Sequence, residues 1–162
     1  MGVFRKLLPQ EFLEDLSSLD VDRFFNNGRD VFIFDFDNTL GFWRSQKIEE
    51  RFQPLLKKIL NSNGKIIIAS NGKPRQISLD GVHVIWRVRK PFTKKIKQFL
   101  ASQDIDAERV VLIGDQIFTD VLAGNLLGAY TVKVKPLSKT EFFGTKVLRI
   151  FEKVLFLFLR KR

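Results

Sequence analysis

Asp35 and Asp37 stand two residues apart at the end of a short apolar run, Val31-Phe32-Ile33-Phe34, and Asn38-Thr39-Leu40-Gly41 follows them. On an extended chain, residues at this spacing share a face. Like charges so close repel unless a cation or a shared proton relieves them. Taken alone, the same residues also suit a turn, because Asp and Asn favour strand ends and Asn38-Thr39 could cap the next element. Three more polar groups come directly after apolar runs: Ser70-Asn71, Arg89-Lys90, and Asp115 with Asp120. Each has an ordinary use. Ser70-Asn71-Gly72 makes a turn, Lys90 a solvated charge, and Asp120 a first-turn helix residue favoured by the dipole. Together they supply carboxylates, a hydroxyl, an amide and a lysine. That inventory suits a hard divalent cation such as Mg²⁺ beside a phosphoryl group.

The elements that must position these groups can be read along the chain. Pro9 opens an expected helix over 9–19, and Asp20 caps a second that stops at Asn26-Asn27-Gly28. Together they make 1–28 an N-terminal helical segment. The run ending at Asp35 is the first strand. A helix is expected over 47–62, with Ile48, Phe52, Leu55, Leu56 and Ile59 on one face. Strands are expected over 65–69, 82–86, 110–113 and 130–134, and helices over 91–102 and 119–127. Strand alternating with helix is the signature of βαβ units and a parallel sheet. In such sheets ligands bind beyond the carboxyl ends of the strands, where all four polar groups fall. No repeat, low-complexity tract or linker divides the chain, so 1–162 reads as one domain. His83 lies inside an apolar strand away from these ends and reads as structural.

Composition narrows the partners. The chain has 162 residues, 44% hydrophobic and 28% charged, which suits one soluble domain with a proper core. It has no Cys, which excludes disulfides and thiolate metal sites. No apolar run approaches membrane-span length, and the amino terminus lacks a signal-peptide core. The expected location is therefore cytoplasmic. The net charge of +10 calls for an anionic partner: nucleic acid, an acidic membrane surface or a phosphorylated substrate.

Asp35-Phe36-Asp37-Asn38-Thr39, Ser70-Asn71, Lys90-Pro91 and Gly114-Asp115-Gln116 with Thr119-Asp120 resemble, in order and spacing, the four motifs of the haloacid dehalogenase (HAD) superfamily. Leu7-Leu8-Pro9, Trp43 and Arg89-Lys90-Pro91 narrow the resemblance to YqeG-type subclass IIIA phosphatases, relatives of phosphatidylglycerophosphate (PGP) phosphatases. It covers about Leu7 to Val134. The resemblance implies a three-layer Rossmannoid α/β fold with a mainly parallel five-stranded sheet. It makes Asp35 the nucleophile that forms an aspartyl-phosphate, and Asp37 the general acid and base. Mg²⁺ would be held by Asp35, the Asp37 main-chain carbonyl and Asp115, with Asp120 as ligand or behind one. Ser70, Asn71, Asn38 and Lys90 would hold phosphoryl oxygens. Interval 72–81 is short for the helix expected after the second motif. About thirty residues separate the first two motifs and about twenty separate Ser70 from Lys90, too few for a large cap domain. An uncapped site favours a bulky substrate.

The carboxyl tail favours a lipid. From Thr131 onward nine Lys or Arg face two Glu, a net of +7. Over 140–162 a helix would place Lys146, Arg149, Lys153 and Arg160 on one arc and Phe143, Val147, Ile150, Phe151, Val154, Leu157 and Phe158 elsewhere. Such a basic amphipathic helix either lies on anionic lipid or packs on the domain's own sheet. The expectation is a Mg²⁺-dependent phosphatase that converts PGP to phosphatidylglycerol, peripheral at the inner membrane face. One alternative is a phosphatase acting on nucleic-acid ends or another bulky phosphate. The other is a catalytically silent RNA- or ribosome-associated binding protein.

Overall fold

The computed structural model describes residues 5–77 and 79–138, so the basic helix expected over 140–162 lies outside the described residues. Among them, six strands form one sheet: β1 (Glu11–Leu13), β2 (Val31–Phe34), β3 (Lys65–Ala69), β4 (Val82–Ile85), β5 (Val110–Gly114) and β6 (Tyr130–Val134). The spatial order is β1-β6-β5-β2-β3-β4, and every neighbouring pair is parallel. β2 is central and buried along its whole length. A parallel strand covered on both faces reads as a continuous apolar run, as this one does. Phe32 and Phe34 enter one core and Val31 and Ile33 the other.

Helices cover both faces. The first core takes residues from α1 (Val21–Asn26) and α2 (Gln53–Asn61), and the second from α3 (Lys94–Ser102) and α4 (Leu122–Leu127). The first core explains part of the chain's richness in phenylalanine. Phe24, Phe32, Phe34, Phe36 and Phe52 are all buried in it. Phe24 meets Phe32 edge-on at 6.0 Å, and Phe32 stacks on Phe34 at 6.5 Å. Among the described residues no cap domain interrupts the strands, 72–81 forms no helix, and no helix is long and apolar enough to cross a membrane.

Several elements differ from the sequence expectation. The sheet has six strands, not five, because part of the helix expected over 9–19 is β1, followed by a 3₁₀ turn at Leu16–Ser18. Three residues are too few to show a strand period. Pairing decides it: β6 would otherwise present a bare edge, and Glu11 to Leu13 cover it in register with Val132 to Val134. The second helix starts at Gln53 after a 3₁₀ turn, with Pro54 in its first turn. The third starts at Lys94 instead of Pro91, because the Phe92 N–H first closes a turn on the Arg89 carbonyl at 3.0 Å. His83 is exposed on the edge strand β4, its ring 5.2 Å from Phe99.

Candidate active site

The register of the three central strands brings the polar groups together. Phe34 lies opposite Ile113 on β5 and Ile68 on β3. The Asp35 N–H donates to the Ile113 carbonyl at 2.8 Å, so the ladder runs one residue beyond β2 and sets Asp35 at the end of β5. The chain then turns sharply. Leu40 and Gly41 donate to the Phe36 carbonyl at 3.0 and 3.1 Å, and Asn38 adopts φ 63°, a left-handed conformation that Asn tolerates. Asp35 and Asp37 consequently part company.

Asp35 joins Asp115 and Asp120. All three are buried, and one carboxylate oxygen from each lies within 4.8 Å of the others. Asp120 comes from a π-helical turn, Ile117–Val121, that precedes α4, and its Oδ2 accepts the Gln116 N–H at 3.0 Å. Such turns widen a helix by one residue and recur at functional sites. Gly114 leaves room for it, since a Cβ there would overlap the Asp120 carboxyl group.

Lys90 ties the cluster. Its Nζ donates to Asp35 Oδ1 at 2.7 Å and to Asp120 Oδ1 at 2.6 Å, with the lysine side chain only 2% exposed. Burial pushes Asp35 up to about 7; Lys90 opposes this and the Asp120 charge adds to it. Burial also works against the Lys90 charge, but Asp120 and Asp35 together outweigh it and hold the ammonium above its ordinary value. From below, Lys133 on β6 donates to the Asp115 main-chain carbonyl at 2.8 Å. Three buried carboxylates outnumber the two buried ammonium groups beside them, Lys90 and Lys133, and every oxygen in the group can serve as a metal donor. That set fits a hard divalent cation.

The other expected residues take distinct places. Ser70 is buried one residue beyond β3, with its Oγ accepting the Gly72 N–H at 2.9 Å and donating to Asp37 Oδ2 at 3.4 Å. Asn71, expected on phosphoryl oxygens, clamps the Lys90 main chain. Its Oδ1 accepts the Lys90 N–H at 2.6 Å and its Nδ2 donates to the Lys90 carbonyl at 3.0 Å. The amide of Asn38, also expected on phosphate, accepts from the Ser138 hydroxyl at 2.9 Å. The Asp37 carboxylate stands outside the group of three. Arg75 grips it with both fork nitrogens, Nη1 to Oδ1 at 2.8 Å and Nη2 to Oδ2 at 2.7 Å, and the Arg44 N–H adds 3.0 Å to Oδ1.

Arg75 and Lys133 are the two residues that sequence reasoning missed. Lys133 carried a signal, a charge inside an apolar strand. Arg75 carried none, because its loop has no periodicity to show where the side chain points.

A family model described as mitochondrial PGP phosphatase matches residues 3–136. The chain belongs to the mitochondrial PGP phosphatase family. It is 28% identical to the probable phosphatase YqeG of Bacillus subtilis over 159 residues, covering 96% of this chain and 92% of that protein. It is 28% identical over 159 residues to the chloroplastic phosphatidylglycerophosphate phosphatase 1 of Chlamydomonas reinhardtii, and 27% identical to the chloroplastic/mitochondrial enzyme of Arabidopsis thaliana. The matches cover 90% and 96% of this chain but only 59% and 49% of those longer proteins. Among solved structures, an uncharacterized protein from Listeria monocytogenes serotype 4b shares the fold, with TM-score 0.53 and 15% identity over 69% of this chain and 84% of that one. This PGP phosphatase family member is a phosphatase, similar to YqeG.

Proposed function

We propose that this family member hydrolyses a phosphate monoester through Asp35, with Mg²⁺ as cofactor, and that its substrate is PGP. The observation that carries the reading is the meeting of Lys90 with Asp35 and Asp120, beside Asp115, at the carboxyl ends of the central strands. An Asp35 carboxylate oxygen attacks phosphorus while Asp37 gives its proton to the departing alkoxide. Asp37 then takes a proton from water, whose oxygen attacks the same phosphorus. Inorganic phosphate leaves and Asp35 is restored. Lys90 and the Ser70 hydroxyl hold phosphoryl oxygens as negative charge redistributes among them. Asn71 and Asn38 serve as positioning residues, the first for Lys90 and the second for the turn that carries Asp37.

Asp35, Asp115 and Asp120, with the Asp37 main-chain carbonyl, are the groups suited to hold the metal. When bound, Mg²⁺ supplies positive charge to phosphoryl oxygens and relieves repulsion among the carboxylates. The lipid assignment draws on the two longer relatives named for PGP, and on the rim of the site. Phe42 and Phe92 are exposed on the loops that leave β2 and β4, where Arg44, Arg87 and Arg89 supply positive charge. Apolar rings among arginines suit an anionic lipid surface, and the basic segment 140–162 would reinforce that docking.

The deciding assay is phosphate release with Mg²⁺ from PGP in mixed micelles, compared with phosphorylated oligonucleotide ends and sugar phosphates. PGP should be hydrolysed with the highest kcat/KM. Equal or faster turnover of oligonucleotide ends would overturn the lipid assignment.

A further inference from the structure

We infer that Arg75 is the receptor for a second anionic group on the substrate, and that in the free protein it parks on Asp37. The inference rests on the reading of Asp37 as the acid that protonates the leaving oxygen. A group with that task faces the leaving alcohol. The guanidinium forked onto it therefore stands on the leaving-group side, while Lys90, Ser70 and the carboxylate cluster attend to the transferred phosphoryl group. An anion that meets Arg75 belongs to the alcohol portion of the ester.

The contacts around Arg75 suit a fork that changes partner. Its guanidinium lies 5.3 Å from the Phe36 ring centre and 5.5 Å from that of Trp86, and these rings meet edge-on at 6.1 Å. An aromatic platform attracts the cation whichever anion it faces. Nη1 also donates to the Ser45 carbonyl at 3.0 Å, which anchors one arm. The planar fork matches a carboxylate and a phosphodiester alike. Gly72 creates the space, because a Cβ there would sit 2.6 Å from Arg75 Nη2 and 3.1 Å from Asp37 Oδ2. While the fork holds both Asp37 oxygens, that carboxyl group is not available to a leaving oxygen. A substrate anion that draws Arg75 away releases it, and the freed carboxylate takes from solvent the proton that it then gives to the leaving oxygen. The site therefore selects phosphate monoesters whose alcohol carries a second negative group, and a phosphodiester fits the fork.

The test compares two soluble esters, p-nitrophenyl phosphate and glycerophosphoglycerophosphate, the latter carrying a phosphodiester and no acyl chains. In the wild type the two-anion ester should have the higher kcat/KM. In Arg75→Gln the ratio of the two kcat/KM values should fall about 10–100-fold, chiefly through KM of the two-anion ester, as expected for a lost hydrogen-bonded charge contact. Arg75→Lys, which keeps the charge and loses the fork, should fall by less. Glycerophosphoglycerol should compete with p-nitrophenyl phosphate in the wild type and bind about tenfold more weakly in Arg75→Lys. This covers the case in which the glutamine variant does not fold. A ratio unchanged in both variants, or no competition by the diester, overturns the inference. Good turnover of the acyl-free ester with none of PGP in micelles would instead overturn the lipid assignment and support the Arg75 site.

Discussion

β2 carries an aspartate–arginine fork at each end, and the two do different work. At its entry, Asp30 accepts from Arg109 Nε at 2.9 Å and Nη2 at 2.6 Å, tying the start of β2 to the start of β5. Their side chains are 30% and 40% exposed, with Lys65 as a further charge near Asp30 and Asp104 and Asp106 near Arg109. At its exit, Asp37 and Arg75 pair end-on through both Nη atoms, with 20% and 13% exposure, beside a buried carboxylate cluster and two aromatic rings. The same residue pair is a clasp at one end and, on the mechanism proposed above, a restrained reagent at the other. Chemistry follows from the neighbourhood rather than from the pair.

Breaking the exit end should have the largest effect. Asp35→Asn should abolish phosphate release while leaving the fold intact, because an amide does not attack phosphorus. Asp37→Asn should slow turnover about 10²–10⁴-fold, the usual worth of a general acid and base. Both are read by phosphate release, with circular dichroism as the check on folding. Residual Mg²⁺-dependent turnover in Asp35→Asn above a trace would reject the nucleophile.

Removing divalent cations sharpens the contrast, since among the described residues only the exit end gathers three carboxylates close enough to share one cation. Excess EDTA should stop phosphate release, and Mg²⁺ should restore it. A chelator selective for Zn²⁺ should do nothing, because the donor set is all oxygen. Full turnover of metal-free protein in EDTA would remove the metal from the scheme.

The two ends should also differ in the sign of their pH dependence. Asp35 moves from 3.8 to about 7 because burial disfavours its charge, so the metal-free native state keeps the proton that the unfolded chain releases. Its contribution to stability falls as pH rises from about 4 to 7, by a ceiling of about 4 kcal/mol for a shift of this size. Asp30 is held below its usual value chiefly by its hydrogen bonds from Arg109, so its contribution is present above the ordinary carboxylate range and fades as pH falls. Urea titrations in EDTA across that window should show Asp35→Asn losing the downward slope. Parallel slopes for wild type and variant would mean that Asp35 is not so perturbed. The smallest effect belongs to the entry clasp. Arg109→Ala should cost about 0.5–1 kcal/mol, since half-exposed pairs are screened by solvent, and should leave kcat/KM for phosphate release unaltered.

What could be read from the sequence divides along the same line. β2, β3, β5 and β6 were legible because buried parallel strands are apolar runs bounded by turn residues, and Asp35, Ser70 and Asp115 follow such runs directly. β1 was not legible, because its strand character comes from the partner edge of β6. That Asp35, Lys90 and Asp120 fall at the same edge of the sheet was legible from the strand pattern, but the direct Lys90 contacts were not, since the resemblance set Lys90 on phosphoryl oxygens. The Asn71 clamp and the Arg75 fork were hidden for another reason. Both depend on how irregular loops fold back, which pattern and propensity do not encode.

The turn after β2 bears on how the enzyme finds its substrate. Leu137 donates from its main chain to the Asn38 carbonyl at 3.0 Å, and the Ser138 hydroxyl donates to the Asn38 side chain. The chain beyond Ser138 therefore sets out from the rim of the reaction centre, not from the far end of the sheet. Anything captured by Lys146, Arg149 or Lys153 is tethered to that rim by a short stretch of polypeptide. On the lipid assignment proposed above, weak capture of an anionic surface there would turn the search for a scarce headgroup into a local one.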